Sequence, residues 1–406
     1  MERVQEIYQR GRWNLAVGCP EITDMHKVKV SIVMPCFNAG KYIINAIESV
    51  LIQDVSFQLI IINDGSTDDT ADVLDQYRDH IVLIDSDHVG VANARNQALR
   101  YLQGDYTLLL DADDSLEPGA LTVLLSSITC DRQVAYGRFS SWDSHMQSML
   151  HIHKAGRLSP NPFVFLSRGN FTPPGSLLFP STVFNEVGNF DQEVAGCEDW
   201  DFLVRIARAG YAFKPINQPV FRYRRHMSSA SNQASKMYDS GVKVIQRCYK
   251  TDPRLSLDCY PQGNTLDDIE GNIIRFCASC FALAALSGDT TSAGEMIRQI
   301  GAAGTCHLKQ AGVSFRTGLW WYGMALKGDR KKNIYEGMSR AVEIIEKNIN
   351  DLECGKRIMG AFLYPDLAEL FMRSGPKKAV RLVNEWLEAR KLINAAMCND
   401  RRVRNN

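Results

Sequence analysis

The sequence predicts an α/β domain with a mostly parallel sheet in its first half and an all-α domain of helical hairpins in its second half. Between residues 30 and 111, short apolar runs alternate with amphipathic stretches, which is the pattern of βαβ units with parallel strands. From about residue 266 onward the apolar residues recur at helical spacing, and breaks such as Ser287-Gly288-Asp289 separate pairs of helices.

The helical half is predicted to consist of stacked hairpins. Its predicted helices lie at 273–286, 291–300, 318–327, 334–348, 364–373 and 377–395. They loosely resemble tetratricopeptide arrays, which offer surfaces for a protein partner or for self-association. The same helices could instead simply cover the sheet. We divide the chain into an N-terminal extension at 1–28, the α/β domain at 29–232, a linker at 233–265 and the helical domain at 266–398.

Composition counts against several functional classes. The 406 residues include 46 basic and 46 acidic ones, so the zero net charge gives no general reason to expect nucleic acid as a partner. The best candidate for a membrane span, Ile273 to Leu286, is short and carries Arg275, and we expect a core helix there. Residues 1–20 lack the apolar core of a signal peptide, and the eleven cysteines are irregularly spaced. We therefore expect a cytoplasmic protein, which could lie peripherally at the inner face of a membrane.

The first two strands lead into polar turns. Val30 to Pro35 is the first predicted strand, and it ends at a proline that cannot donate to a sheet ladder. A turn at Asn38 follows, and then a helix with its apolar residues from Ile43 to Leu51 on one face. The second strand, Phe57 to Asn63, runs into Asp64, where the following glycine permits a tight turn.

The fourth strand ends on a cluster of acidic residues. It follows a third strand and a helix that carries Arg95, and it stops at Asp111. In extended backbone Asp111 and Asp113 would point to the same side while Ala112 points away, so both carboxylates could hold one hard cation. Such a cation can bridge a diphosphate. The predicted turns contain neither a G-x-G-x-x-G nor a G-x-x-x-x-G-K motif, which counts against a dinucleotide or P-loop site.

Seven motifs in order resemble those of the family 2 glycosyltransferases, which have the GT-A fold. They are VSIVMPCFN at 30–38, NDGSTDDT at 63–70, GVANARN at 90–96, DADD at 111–114, VGNFD at 187–191, CEDWDFLVR at 197–205 and YRRH at 223–226. The resemblance covers about residues 28–232. It implies an inverting transferase that takes a sugar from a nucleotide-diphosphate sugar, UDP by default, with Mn²⁺ or Mg²⁺. The acceptor would be a carbohydrate or glycoconjugate, which could be lipid-linked.

The same resemblance implies roles for particular residues. Pro35, Asn38, Asp64 and Arg95 would line the nucleotide edge, with Asp64 accepting from a base N–H and Arg95 contacting a base or phosphate. Asp113 would be the main metal ligand and His226 an additional one. Asp111 and Ala112 would lie nearer the sugar nucleotide, with Asp111 close to the ribose.

The general base is expected at the start of a helix that opens with Glu198 and Asp199. Its apolar stripe packs on the sheet, and at about 100° per residue Asp199 falls on the border of that stripe while Glu198 points away. Asp199 is therefore the better candidate, and Glu198 is the second. The positive end of the helix dipole favours the ionised form of Asp199. Both acids could instead merely satisfy the helix N-terminus.

Two other functions remain open from the sequence. A sugar-nucleotide pyrophosphorylase also uses metal-binding carboxylates, but residues 30–40 lack the glycine-rich basic loop that it needs. A catalytically silent scaffold would act through the helical array alone. The pairs His151/His153 and Cys277/Cys280 lack further ligands nearby in the sequence, so we expect an exposed strand face and core packing rather than metal sites.

Overall fold

The computed structural model describes residues 28–154, 158, 161–170, 172–226, 229, 232–323 and 330–363. The predicted helices at 364–373 and 377–395 lie outside this part of the chain, as does nearly all of the N-terminal extension.

The parallel half of the sheet follows the sequence prediction closely. It contains β1 (Val30–Cys36), β2 (Phe57–Asn63), β3 (Val82–Asp85) and β4 (Tyr106–Leu109), in the spatial order β3-β2-β1-β4. All three pairings are parallel. Their carboxyl ends therefore meet at one edge, where ligands bind in sheets of this kind.

The other half of the sheet is mixed. Its strands are β5 (Ser115–Leu116), β6 (Gln133–Trp142), β7 (Met149–His153), β8 (Leu177–Pro180) and β9 (Ala212–Arg224). The full order is β3-β2-β1-β4-β8-β6-β9-β5, with β7 paired to β6. Strand β8 joins the halves through antiparallel pairs with β4 and β6, whereas β6 and β9 are parallel.

Helices cover both faces of the sheet. In the α/β half they are α1 (Ile43–Leu51), α2 (Thr70–Asp75), α3 (Val91–Ala98), α4 (Ala120–Ser127), α5 (Pro162–Leu166), α6 (Val183–Val187) and α7 (Glu198–Arg208). Alternate residues of β1 enter different cores: Val33 belongs to the core that contains residues of α3 and α7, whereas Ile32 and Met34 belong to the core that contains residues of α1. The strands read as continuous apolar runs because both faces are buried.

The segment predicted as a linker contains a helix. The remaining helices are α8 (Ala234–Cys248), α9 (Ile269–Ser287), α10 (Thr290–Ala302), α11 (Thr305–Gly323), α12 (Arg330–Asn348) and α13 (Leu352–Leu363). Val244, Ile245 and Cys248 of α8 belong to the same core as α3 and α7. Residues 233–265 therefore do more than connect two domains, because this helix buries an apolar face against the sheet domain.

Helix α11 begins earlier than its apolar pattern predicts. The prediction started at Gly318, whereas the helix runs from Thr305 to Gly323. A Cβ at position 318 would lie 2.9 Å from the Cβ of Ala282 on α9. Gly318 is therefore a point of close contact between two helices inside α11 and not a helix boundary.

Helix α9 is long and apolar enough to cross a membrane by length and composition, with a mean hydropathy of 1.5 in its most apolar window. About two thirds of that window, 67%, is buried inside the fold. Its residues form the centre of the helical core, with Phe281 in contact with Phe315 and Phe362. This is the packing of a core helix.

Candidate active site

Two turns at the carboxyl edge of the sheet are hydrogen-bonded to each other. Pro35 is buried in β1 opposite Ile62, and Asn38 lies exposed in the following turn with a φ of 51°. The Asn38 side-chain oxygen accepts from the backbone N–H of Thr67 at 2.8 Å, and its own N–H donates to Ser66 Oγ at 3.0 Å. Asparagine tolerates this left-handed conformation better than most residues.

Asp64 joins the end of β2 to the start of α3. Its carboxylate is buried, and its two oxygens accept from the backbone N–H groups of Val89 at 2.7 Å and Gly90 at 2.8 Å. These bonds link residues 25 and 26 positions apart, unlike the local turn in which an aspartate bonds the backbone two residues on. A contact between Asp64 and a nucleobase stays a prediction.

An exposed aromatic pair beside Asp64 was missed by the sequence reasoning. The rings of Phe37 and His88 lie 4.1 Å apart, and His88 Nδ1 is 3.2 Å from the backbone oxygen of Asp64. Phe37 is 45% exposed. Phe37 could have been noticed in the sequence, because it is a large aromatic residue in the turn after Pro35. An exposed aromatic ring at a ligand-binding edge is suited to stacking.

Arg95 is buried between two of the acidic motifs. It is 2% exposed, and its terminal nitrogens donate to Glu198 Oε1 and to Asp111 Oδ1, both at 2.7 Å. Helices α3 and α7 pack on the same face of the sheet, which brings Arg95 and Glu198 together. Both terminal nitrogens of the guanidinium donate to carboxylates, so Arg95 is a buried cation between two acidic motifs. A contact between Arg95 and a base or phosphate stays a prediction.

Asp111 and Asp113 do not point to a common partner as the extended-backbone prediction requires. Strand β4 ends at Leu109, and the next residues form a turn in which the N–H of Asp114 donates to the backbone oxygen of Asp111 at 3.1 Å. Asp111 bonds Arg95, whereas Asp113 Oδ2 lies 2.7 Å from His226 Nε2. The two carboxylates therefore bond different partners. Ala112 between them is buried.

The carboxylates at this turn differ in their surroundings. Burial raises the pKa of Asp114 well above its ordinary value, and the charges of Asp113 and Asp111 raise it further. Asp114 Oδ1 accepts from the backbone N–H of Arg224 at 2.7 Å, which ties the turn to β9. Burial also raises the pKa of Asp111, although the charge of Arg95 opposes that shift.

The two predicted metal ligands are in direct contact. Asp113 and His226 come together because β9 ends beside the turn after β4, and Tyr42 stacks on the His226 ring at 4.8 Å between centroids. In the described part of the chain no group of three or more His, Cys, Asp or Glu side chains could hold a metal ion. A divalent ion that a diphosphate also coordinates needs only one or two protein ligands. The Asp113/His226 pair fits such a shared ion.

Helix α7 begins at Glu198, as predicted, but Glu198 does not point away from the protein. It is 4% exposed. Its carboxylate accepts from Arg95 and from the backbone N–H of Gly196, the latter at 2.6 Å. Asp199 is half-buried. Its Oδ1 accepts from the N–H of Trp200 at 2.7 Å, and its Oδ2 accepts from Asn170 Nδ2 at 3.1 Å.

Burial and the charge of Glu198 raise the pKa of Asp199 to about 7, although the charge of Arg95 opposes the shift. The helix N-terminus was expected to favour the ionised form of Asp199. The N–H of Trp200 does lower the pKa of Asp199, but desolvation raises it by more. A carboxylate with a pKa close to neutral is suited to general base catalysis.

A tryptophan pair on α11 packs on the sheet next to His226. Arg225 donates to the backbone oxygen of Trp321 at 2.8 Å, and its guanidinium lies 4.8 Å from the centre of that ring. Trp320 contacts His151 edge to face at 4.7 Å. His151 is exposed as predicted, whereas burial lowers the pKa of His153 to about 3 and leaves it neutral.

Comparisons with known proteins show what this chain is similar to. Residues 31–185 match the sequence model of Glycosyl transferase family 2. A chondroitin synthase of Escherichia coli is 29% identical over 212 residues, which cover 50% of this chain and 30% of that protein. A glycosyltransferase of Rickettsia typhi is 24% identical over 212 residues, covering 50% and 66%. The crystal structure of S. aureus TarS 1-349 in complex with UDP-GlcNAc superposes with a TM-score of 0.49 and 14% identity, covering 80% of this chain and 93% of that one.

The chain thus spans about a third of the chondroitin synthase and about two thirds of the Rickettsia protein. In both cases the match involves half of this chain.

Proposed function

Because the chain carries a family 2 glycosyltransferase domain at residues 31–185, we propose that it transfers a sugar with inversion from a UDP-sugar to an acceptor hydroxyl, with Asp199 as the general base. The proposal rests on one structural observation above all. Two sets of contacts meet at the turn 111–114: Asp113 bonds His226, and two residues away Asp111 bonds Arg95, which also bonds Glu198 beside Asp199. The residues proposed for the diphosphate and for the base therefore lie at one site.

The reaction that we propose is a single displacement. Asp199 accepts the proton of the acceptor hydroxyl while that oxygen forms a bond to the anomeric carbon. The bond between this carbon and the diphosphate oxygen breaks, and the diphosphate leaves with the electron pair. Attack from the side opposite the leaving group inverts the anomeric configuration.

Asp113 and His226 would hold the Mn²⁺ or Mg²⁺ ion that the family resemblance implies. Such an ion neutralises charge that develops on a departing diphosphate. Asp64 and Asn38 fix the turns at the nucleotide edge, and the exposed Phe37 ring is available to stack on the base. Arg95 keeps Asp111 and Glu198 in place by neutralising both.

The acceptor that we propose is a growing polysaccharide or another glycoconjugate. The similarity to a chondroitin synthase supports this class of acceptor without specifying a sugar. We also propose a cytoplasmic site of action. Cysteines among the described residues, such as Cys36 and Cys197, are free thiols. Free thiols are usual in proteins of a reducing compartment, which supports this proposal.

The rate of transfer is expected to rise with pH and to level off above about pH 7. A base must be ionised, and a carboxyl with a raised pKa stays protonated and inactive until the pH passes that value. The measurement is kcat for UDP release between about pH 5 and about pH 9, with the fold checked by circular dichroism at each pH. A rate that is flat or falls over this range would contradict the role of Asp199.

Metal-dependent binding of UDP is expected to weaken by more than about tenfold in Asp113→Asn and in His226→Ala. Each change removes one of the two ligands, and the diphosphate alone holds the ion less well. Calorimetric titration of UDP with Mn²⁺ and with EDTA measures the effect. His80→Ala is the matched control, because His80 is exposed and precedes the amino end of β3, opposite the carboxyl edge. Equal UDP affinity with and without Mn²⁺ in the wild type would exclude the metal role.

A further inference from the structure

The last residues of β9 reach the turn after β4. The N–H of Arg224 donates to Asp114 Oδ1 at 2.7 Å, and its Nε donates to the backbone oxygen of Asp113 at 2.5 Å. Two positions on, His226 contacts the side chain of Asp113. Side chains alternate between the two sides of extended backbone, so Arg225 points away from this turn.

Sheet pairing stops just before His226. The last residues paired between β6 and β9 are Trp142 and Arg224, and the N–H of Arg225 donates to the backbone oxygen of Trp142 at 2.9 Å. Beyond that point the backbone oxygen of His226 accepts from Asn232 Nδ2 at 2.9 Å, which is a contact within the same segment. The contacts that hold Arg225 therefore bear directly on where His226 lies.

Arg225 is held by a residue of the helical half. It is buried, and it donates to the backbone oxygen of Trp321, 96 positions away, at 2.8 Å. Its guanidinium lies 4.8 Å from the centre of the Trp321 ring and 5.2 Å from that of Tyr223. These two rings stack on each other at 6.0 Å. A guanidinium is a flat cation that binds well on aromatic faces, so these contacts tie the end of β9 to α11.

Helix α11 connects two hydrophobic cores. Phe315 and Leu319 are buried in the core of the helical half, whereas Trp321 packs against the core that contains residues of β1 and α1. Protein interiors are close-packed, so the position of α11 in the helical core also sets the position of Trp321.

We propose that Arg225 and Trp321 are positioning residues that hold His226 within reach of the metal ion, so that α11 is a structural part of the active site. This inference rests on the proposed transferase function and its metal ion, and it extends them by giving the helical half a role in the reaction. Groups that orient a metal ligand without touching the ion strongly affect metal affinity. Both residues lie outside the segment 31–185 that matches the family model.

Trp320 offers a matched control on the same helix. Its ring lies 4.7 Å from His151 and 6.0 Å from His153, both on β7. Removing this ring loosens the packing of α11 on the sheet, while Trp321 and Tyr223 still contact Arg225.

The test compares Arg225→Met, Arg225→Lys and Trp321→Leu with Trp320→Leu and with His226→Ala, all in the full chain. Calorimetry measures the affinity for UDP with Mn²⁺ and with EDTA, and urea titration measures the stability of each variant. Pulsed electron paramagnetic resonance of the Mn²⁺–UDP complex detects the nitrogen of a coordinated imidazole, which reports on His226 without any turnover.

We expect Arg225→Met and Trp321→Leu to weaken the Mn²⁺-dependent affinity for UDP by about tenfold, the lower end of what loss of a group that orients a metal ligand costs. The affinity in EDTA should stay the same, and the imidazole signal should weaken. Arg225→Lys can still donate to the Trp321 oxygen but lacks the flat face, so its affinity should lie between those of Arg225→Met and the wild type. Trp320→Leu should keep the wild-type affinity and signal.

The outcomes separate the inference from the proposed function. Wild-type affinity and signal in Arg225→Met and Trp321→Leu, with loss of both in His226→Ala, would overturn the inference and leave the metal role intact. An equal loss in Trp320→Leu, or an equal loss with EDTA, would also overturn it, because general packing or nucleotide binding would then be the cause. A wild type that binds no UDP with Mn²⁺ or with EDTA would overturn the proposed function and the inference with it.

Discussion

Replacing Asp199 by asparagine is expected to lower the rate of sugar transfer by about 10²–10⁴-fold, which is the range that general base catalysis contributes. Asparagine has nearly the same shape and can still accept from Trp200 N–H, but it cannot take up the proton of the acceptor hydroxyl. Affinity for UDP with Mn²⁺ should stay the same, since Asp113 and His226 are untouched. Steady-state kinetics and calorimetry on the same preparations measure both quantities.

Two comparisons make the Asp199 result specific. Asp72→Asn changes an exposed carboxylate in the first turn of α2 and should leave the rate unaltered. In Asp199→Asn any residual rate should also lose its rise between about pH 5 and about pH 8, because the group that titrates there is gone. A variant with wild-type kcat would show that another residue is the base and would refute the mechanism.

The strands that build the site could be predicted because each is a short apolar run with a clear ending. Val30–Cys36 and Phe57–Asn63 appear within a residue of their predicted limits, and Asp64 follows β2 directly. The antiparallel strands of the other half were harder to place. Their pairing brings together residues far apart in the chain, such as Ser115 and Arg222, and no local pattern encodes that contact.

The partners of the acidic residues could not be predicted for the same reason. Arg95 and Glu198 are 103 positions apart, and Asp113 and His226 are 113 apart. Helical periodicity places a side chain relative to its own helix only. It therefore predicted that Glu198 points away from the buried face, whereas in the structure another helix supplies a buried cation for Glu198. The contact of Asn170 with Asp199 depends on a loop, where periodicity gives no information.

Replacing Arg95 by methionine is expected to reduce the free energy of unfolding by about 3–5 kcal/mol, the usual cost of leaving a buried charge without its partner. Glu198 is almost fully buried and loses the one cation with which it pairs among the described residues, and Asp111 loses its ion pair as well. Urea titration followed by tryptophan fluorescence measures the loss. Arg78→Met removes an exposed ion pair with Asp75 and should change stability little.

The double variant Arg95→Met with Glu198→Met decides whether the loss comes from uncompensated charge or from packing. Well-packed apolar residues often replace a buried ion pair without loss of stability, so the second change should recover a large part of what the first one costs. Glu198→Met alone should cost less than Arg95→Met, since Arg95 would still pair with Asp111. A double variant that is as unstable as the sum of the single ones would mean that Arg95 stabilises the fold through its contacts with Phe190 and not through its charge.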